Sequence, residues 1–596
     1  VSTLPPGVSQ DGRGPVPRGG IAVLVATLGL VVFGLWRVRL GVDLGDGTHV
    51  VALALRMAQG DEPLTDEMNL QALGSVLAVP FTWVWLQLAG IEGVVLASRV
   101  FYVGLALAVG VVAYRALRTQ LPRAAAFTAV VLMLLPTPYN LLVTSYNTVP
   151  VLMLGLAASA GFAALSTRSA RWGAGAGVAL AVTVLSHPAS LPAAAVLGLT
   201  VLLLARRGPV VTGLLVGGGV ASALVVLALA LGPGPGALLE TVRYTTDYQA
   251  SRPDPLSRLS RSAQRYLTGL LHWRHLPVLA LTVVALLPRL RWRWRAAAAT
   301  GIPVVLAVTA WVVAPGEPDG GEPFGLYSAS FALLLLTFLA FPVLAWAHHV
   351  GDRALRLLLA LTGPTALLGV VFFAMTTSAS IRWGAPLPPA LPLVGAVGAG
   401  LVLWAGRHGT RTLALAAALS LVGSLLVVHP ARSFRDGAPD TLEGPIAAGP
   451  MAGLHAAPFH VQRDGALRAL VDTWVEPGDG VFFYGIPGGY VYSQAPMQTN
   501  LIWVSAFGQA NAQTVRWWQE TGRYPDVAVV AKTSARTAGS WDALVATDPV
   551  LTFLQEHYDL VADLGRDEGD AYVFRSTASS LSTASLTGAA GSAAGR

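Results

Sequence analysis

GVVLASRVFYVGLALAVGVVAYRALRTQLPR, residues 93–123, holds the unit that decides the architecture. An apolar run over 93–114 is closed by Arg115, Arg118 and Arg123. A membrane-crossing helix needs roughly 20 apolar residues, so this run reads as a span with a basic break behind it. The unit recurs from residue 21 to about 429. Apolar runs lie at 21–37, 70–89, 93–114, 125–143, 150–167, 172–187, 189–205, 209–231, 276–288, 297–314, 326–346, 355–375, 389–405 and 412–429.

Composition agrees. Of 596 residues, 54% are hydrophobic and 12% charged. Mean hydropathy is +0.59. A soluble domain carries roughly 25% charged residues, which excludes an ordinary soluble enzyme, a disordered chain and a collagen-like one. Cysteine is absent, which removes disulfides, thiolate metal sites and cysteine nucleophiles. The net charge of +7 is almost wholly arginine, with Lys532 as the sole lysine. The arginines sit between apolar runs, so they read as orientation signals and no nucleic-acid partner is expected.

Basic breaks occur at Arg115/Arg118/Arg123, Arg168/Arg171, Arg206/Arg207, Arg289–Arg295, Arg353/Arg356 and Arg407/Arg411. The breaks at 144–149 and 187–190 carry no arginine, and 315–325 is acidic. This alternation assigns the basic breaks to the cytoplasm and residues 1–20 to a cytoplasmic tail. The run at 21–37 lacks a small-residue cleavage site behind it and reads as an uncleaved first span. With every run crossing, the C-terminal region would end inside, against the arginines. The run at 70–89 is separated from the next by only a few residues. It is expected to be half-inserted or surface-lying, which leaves about thirteen spans.

Residues 430–575 change character. Short β-like runs at 480–484, 526–531 and 571–574 alternate with helix-like stretches at 462–474, 508–521 and 540–557. That alternation predicts a small α/β domain, placed by the topology on the extracytoplasmic face. Residues 576–596 form a Ser/Ala/Gly/Thr tail, flexible by composition. The expected fold is therefore an α-helical polytopic membrane protein at the cell membrane with a C-terminal extracytoplasmic α/β domain.

The chemistry-bearing segment is the first outer loop, residues 38–69. Asp43, Asp46, Asp61, Glu62, Asp66 and Glu67 fall within it, in a chain that elsewhere avoids charge. Carboxylates gathered beside a helical bundle suggest a site, although a solvated loop would also collect them. Gly45 and Gly47 flank Asp46 and permit an unusual backbone there. His49 lies three residues on, on the same side of a following helix.

The pattern Asp46-Gly47-Thr48-His49, then Arg56 to Gly60, then Pro63 to Asp66, then an apolar run, resembles the opening of GT-C fold glycosyltransferases. These polyprenyl-phosphate-sugar-dependent membrane enzymes include protein mannosyltransferases, aminoarabinose transferases and arabinofuranosyltransferases. The resemblance covers about residues 25–200 in detail and the rest in layout. It implies a glycosyltransferase with an acidic residue of this loop as base: Asp46 first, Asp43 second, with Asp66 supporting. His49 and Glu67 would line the substrate site. The partners implied are a polyprenyl-phosphate sugar, membrane lipid, and a cell-wall glycan, lipid-linked glycan or protein as acceptor. Many relatives carry an acidic residue where this chain has Asn147, which argues against a metal shared between loops; a divalent cation is neither required nor excluded. Relatives often place lysine near His187, whose imidazole would face the lipid phosphate only if protonated. Arg243, Tyr244, Arg252 and Arg382 are further candidates for that phosphate, because guanidinium groups grip it bidentately. In the C-terminal region, Tyr490, Tyr492, Trp503, Trp517 and Trp518 are read mainly as core, with sugar stacking as the alternative. Two rivals remain: a transporter or flippase of a lipid-linked intermediate, and a non-catalytic scaffold of the same fold.

Overall fold

The computed structural model describes residues 18–250, 254–313, 322–376, 387–428, 436–505 and 511–576. The tails 1–17 and 577–596, part of the acidic break, the loop carrying Arg382, and Arg252 lie outside the described residues.

Each apolar run folds as helix over most of its length, except that the run at 125–143 is helical only to Leu134 before a short 3-10 turn. The order is α1 (Arg18–Arg37), α2 (Asp46–Gln59), a 3-10 segment Leu70–Ala78 running into α3 (Val79–Ala89), α4 (Val94–Leu117), α5 (Arg123–Leu134), α6 (Val149–Thr167), α7 (Ala170–Ser186), α8 (Leu191–Ala205) and α9 (Pro209–Leu231). Then follow α10 (Gly234–Ala250), α11 (Pro255–Leu270), α12 (Leu276–Leu286), α13 (Trp292–Val313), α14 (Glu322–Val350), α15 (Arg353–Thr376), α16 (Leu387–His408) and α17 (Arg411–Val428). Among the described residues, 11 helices are long and apolar enough to cross a membrane, or 12 if α11 and α12, bent by 61° at their break, count as one span. The chain is a multi-pass helical membrane protein.

The expected thirteen spans are revised by three local causes. α5 stops after Leu134 because Pro136 and Pro138 follow, and a proline cannot continue the ladder. α7 is 17 residues long, and α12 reaches spanning length only with α11. Residues 70–89 are long and apolar enough to cross. Yet both flanks are held by the C-terminal domain: Met68 N–H donates to Asn500 C=O, and Gly93 N–H to Gly449 C=O.

Small residues set the helix spacing. A Cβ on Gly173 or Gly177 of α7 would come within 2.6 and 2.2 Å of α9 backbone, and one on Gly213 or Gly217 within 2.1 and 2.2 Å of α7 backbone. Only glycine permits that approach, and close backbones supply the dispersion that lipid tails do not.

The arginine-rich breaks meet at one end. Arg407 pairs with Asp352 at 2.7 Å, and the same cleft is walled by Gln120 and Pro122. Trp292, Trp346, Trp404, His349 and His408 pack their rings together there.

The C-terminal domain caps the other end. It contains α18 (Pro458–Trp474), β1 (Val481–Tyr484), α19 (Asn511–Thr521), β2 (Val527–Ala531), α20 (Lys532–Ala538), α21 (Trp541–Val545), α22 (Pro549–His557), β3 (Tyr558–Asp563) and β4 (Ala571–Ser576). The sheet order is β1-β2-β4-β3, with β1 and β2 parallel and the other pairs antiparallel. β1 and β2 are buried throughout, as their unbroken apolar runs demand. The stretch at 540–557 splits at Asp548-Pro549, where Asp548 caps α22, and β3 follows as an edge strand that the alternation pattern does not reveal. One apolar core joins sheet and loop: Val50, Leu53 and Leu55 of α2 pack with Tyr490, Val491, Phe483 and Val529.

Candidate active site

The acidic loop folds as a capped helix resting on the sheet domain. Asp43 turns back on the chain, its carboxylate accepting Gly45 N–H at 2.9 Å and Gly47 N–H at 2.7 Å. It thereby satisfies donors that open α2 and is buried in doing so. Gly47 lets the turn close tightly: a Cβ there would lie 3.3 Å from that of Asp43. Both Asp43 carboxylate oxygens are thus engaged by the turn.

Asp46 is the first residue of α2 and is half-buried. The helix N-terminus favours its ionised form. Its charge acts on Tyr146, a half-buried phenol of the 144–149 break whose hydroxyl also bonds the Asn147 side chain. That break lies directly on the 70–78 segment: a Cβ on Gly74 would be 2.3 Å from the Tyr146 nitrogen.

His49, one turn along α2, is buried, with its ring edge-on to Trp503 at 4.8 Å between centroids. Tyr146 stands on its other side at 6.4 Å. Neither ring nitrogen has a hydrogen-bond partner among the described residues. Burial pushes the imidazole down to about 3. At neutral pH it is therefore uncharged, with one donor and one acceptor nitrogen on offer. The row continues from Tyr146 to His187 at 5.8 Å and from His187 to Phe373 of α15 at 5.3 Å. His187 accepts Ala189 N–H on Nδ1, and burial lowers its pKa to about 4. In that neutral form it supplies no cation, and its ring closes the aromatic row between Tyr146 and Phe373.

Glu67 approaches the same phenol, its charge also acting on Tyr146. Its Oε2 accepts Ile502 N–H at 2.7 Å across 435 residues of sequence, while Oε1 is buried without a partner. Burial, with a smaller push from Asp61, raises its pKa to about 8. Near neutrality the carboxyl is protonated and Oε1 carries a donor hydrogen.

The remaining charged residues of the loop hold its architecture. Arg56 grips Asp61 with two bonds of 2.7 and 2.8 Å and also donates to Gln59 and Ala495 C=O. Gly60 between them takes φ +111°, which only glycine adopts easily. Asp66 is clamped by Arg523, whose guanidinium lies over Trp517, and accepts Glu62 N–H at 2.8 Å. This pairing ties the loop to the sheet domain. Gly488 of the Gly-rich turn after β1 supports the opposite side: a Cβ there would meet Thr48 Oγ1 at 2.0 Å and Leu44 C=O at 2.6 Å.

Asp46, His49, Glu67, Tyr146, Asn147 and His187 are therefore brought together. Arg243 is not: it is exposed on α10, whose other face binds inward through Thr241 Oγ1 to Leu64 C=O at 3.1 Å. Tyr244 is buried in the apolar core with Tyr484, Leu501 and Trp517, which overturns its expected place at the substrate. Arg252 and Arg382 lie outside the described residues. Of the aromatic residues flagged in the C-terminal region, Tyr490, Tyr492, Trp517 and Trp518 are core, and Trp503 alone faces the site. Phe373 and the Ile502 amide were invisible in the sequence, because nothing local marks an apolar ring or a backbone N–H as site-lining. Among the described residues no group of three or more His, Asp or Glu side chains is placed to hold a metal ion.

No family model matches the chain, and no curated protein matches it. Two solved structures are similar. The crystal structure of ArnT from Cupriavidus metallidurans in the apo state shares 14% identity, covers 94% of this chain and 98% of its own, and gives a TM-score of 0.45. The crystal structure of the same protein bound to undecaprenyl phosphate shares 14% identity over 95% and 99%, with a TM-score of 0.47.

Proposed function

We propose that this chain is a membrane glycosyltransferase that moves a sugar from a polyprenyl-phosphate donor to an acceptor hydroxyl on the extracytoplasmic side, with Asp46 as general base. The observation that carries this reading is the grouping of one helix-terminal carboxylate, one buried carboxyl group raised to about 8 and two neutral imidazoles. They meet along an aromatic row where the bundle joins the sheet domain. A hydroxyl is a poor nucleophile, and a carboxylate in hydrogen-bond reach takes its proton as it attacks. The acceptor oxygen bonds to the anomeric carbon, and the bond from that carbon to the phosphate oxygen breaks. Its electron pair leaves with the polyprenyl phosphate, the hydroxyl proton passes to Asp46, and configuration inverts. Protonated Glu67 and neutral His49 supply hydrogen bonds to sugar hydroxyls without adding charge, and Trp503 offers a ring to the apolar sugar face. Positive-inside orientation supports the side: the arginine-rich breaks gather at the end away from the sheet domain.

A flippase reading draws on one observation, the 61° break between α11 and α12, since broken helices are common in transporters. One experiment separates the two. Membranes expressing the chain are given radiolabelled polyprenyl-phosphate sugars, and transfer is compared with Asp46→Asn at equal expression. Transfer that disappears in the variant supports the transferase and its base. Translocation of the intact lipid-linked sugar without transfer favours the flippase.

A further inference from the structure

Two arginines outside the proposed catalytic group share a cleft at the domain end of the bundle. Arg37 ends α1 and Arg99 lies in the second turn of α4. Arg37 is 3% exposed. With Asp43, Gly41, Gly47 and Asn140, the pair lines a narrow cleft of about 20 Å³. Each guanidinium carries a full fork of N–H donors. The described residues take little from it: Arg37 Nη1 donates to Leu40 C=O, and Arg99 Nη1 to Val38 and Leu40 C=O. Arg37 Nε is buried without a partner.

Arg37 and Arg99 line one cleft, and their like charges act on each other. Asp43 and Asp436 supply countercharge to Arg99. Both carboxylates also serve the backbone, Asp43 at Gly45 and Gly47, Asp436 at Val42, Gly437 and Ala457. The far wall is strained: Tyr139 and Asn140 hold φ of +57° and +56°, a region that non-glycine residues adopt at a cost. The cleft exceeds the roughly 10–15 Å³ that one water-sized oxygen requires, and it is too small for a whole headgroup.

We propose that the Arg37–Arg99 cleft seats one phosphoryl oxygen of a lipid headgroup. Depth selects a lipid-borne phosphate: Arg37 is the last residue of one span and Arg99 lies near the start of another, where headgroups stand. A guanidinium pair grips phosphate oxygens with directed, charge-assisted bonds. Asp43 and Gly47 line the seat, and they belong to the turn that opens α2 at Asp46. The lipid is either a polyprenyl monophosphate or a bilayer phospholipid, which offer the same oxygen.

The test is binding, so it stands whether or not transfer occurs. The full chain in detergent is titrated with a short-chain polyprenyl monophosphate, the matching alcohol and phosphatidylglycerol. The monophosphate, phosphatidylglycerol or both should bind at least tenfold tighter than the alcohol. Arg37→Gln and Arg99→Gln should each abolish most of that preference, while Arg115→Gln at the opposite end, which removes the same charge, should leave it unchanged. Arg37→Lys and Arg99→Lys, which keep the charge and lose the fork, should weaken binding several-fold without lowering the melting temperature, and they serve if the glutamine variants do not fold. Arginine-dependent binding of phosphatidylglycerol assigns the seat to bilayer lipid, and of the monophosphate alone to the polyprenyl carrier. Equal binding of alcohol and phosphate, or undiminished phosphate binding by all four variants, overturns the proposal.

Discussion

The two ends of the bundle use charge in opposite ways. At the domain end, the ion pair that closes the acidic loop is shielded and geometrically committed: Arg56 and Asp61 are joined at 2.7 Å with side chains 4% and 15% exposed. At the arginine-rich end, Arg407 and Asp352 meet at the same distance with the arginine 47% exposed. There too Arg295, 5% exposed, lies 3.8 Å from the Trp292 ring centroid and donates to Ala285 C=O. Equal formal charges therefore differ in consequence. Where water reaches them, they orient the chain and add little stability. Where the sheet domain excludes water, the same groups fix a loop.

The sharpest way to break this contrast is Asp46→Asn. Transfer should fall by about 10²–10⁴-fold, the usual worth of a general base, with the melting temperature unchanged. Radiolabel transfer in membranes and a thermal melt of the purified variant check both halves. Arg56→Ala comes next. It strands Asp61 in a buried site and should cost about 3–5 kcal/mol, read as a large drop in melting temperature. Gly488→Ala forces a Cβ against Thr48 and Leu44 and should cost about 1–3 kcal/mol, with transfer falling as the α2 turn shifts.

Protonation offers a finer probe. Glu67 is raised from 4.5 to about 8, so the folded chain holds a proton that the unfolded chain releases between those values. Stability from this group should decline as pH rises from 4.5 to 8, and Glu67→Gln should flatten that slope. His49 is lowered from 6.5 to about 3, so the unfolded chain binds the extra proton. Its contribution should be lost as pH falls below 6.5, and His49→Phe should remove that loss. Melting temperatures from pH 4 to 9 for both variants test the two opposite signs. The smallest effect belongs to the arginine-rich end: Arg407→Ala should cost no more than about 1 kcal/mol. A larger loss there would erase the distinction between the two ends.

The membrane helices were legible because a bilayer span demands a long apolar run, and the runs from 21–37 to 412–429 became helix over most of their length. The strands at 481–484, 527–531 and 571–576 were legible because each is apolar and bounded by turn residues. β3 was not, since Tyr558–Asp563 is an exposed edge with Asp559 and Asp563 in it and shows no buried pattern. Nor did the sequence show which apolar helix sits at the centre. α16 and α9 are both apolar throughout, yet 89% of the α16 window is buried and 11% of the α9 window. Lipid and protein interior are equally apolar solvents, so hydropathy does not separate them.

The sequence by itself determined that the chain crosses a membrane many times, that its arginines mark one side, and that its carboxylates gather after the first span. Only the tertiary structure decided what each carboxylate does. Asp43, Asp46, Asp66 and Glu67 are alike in one dimension. They part because Gly45 and Gly47 turn their amides onto Asp43, Arg523 reaches Asp66 from 457 residues away, and Ile502 buries Glu67 against the sheet domain. A carboxyl group's role is set by the donors and dielectric around it, and here most of those come from the far end of the chain.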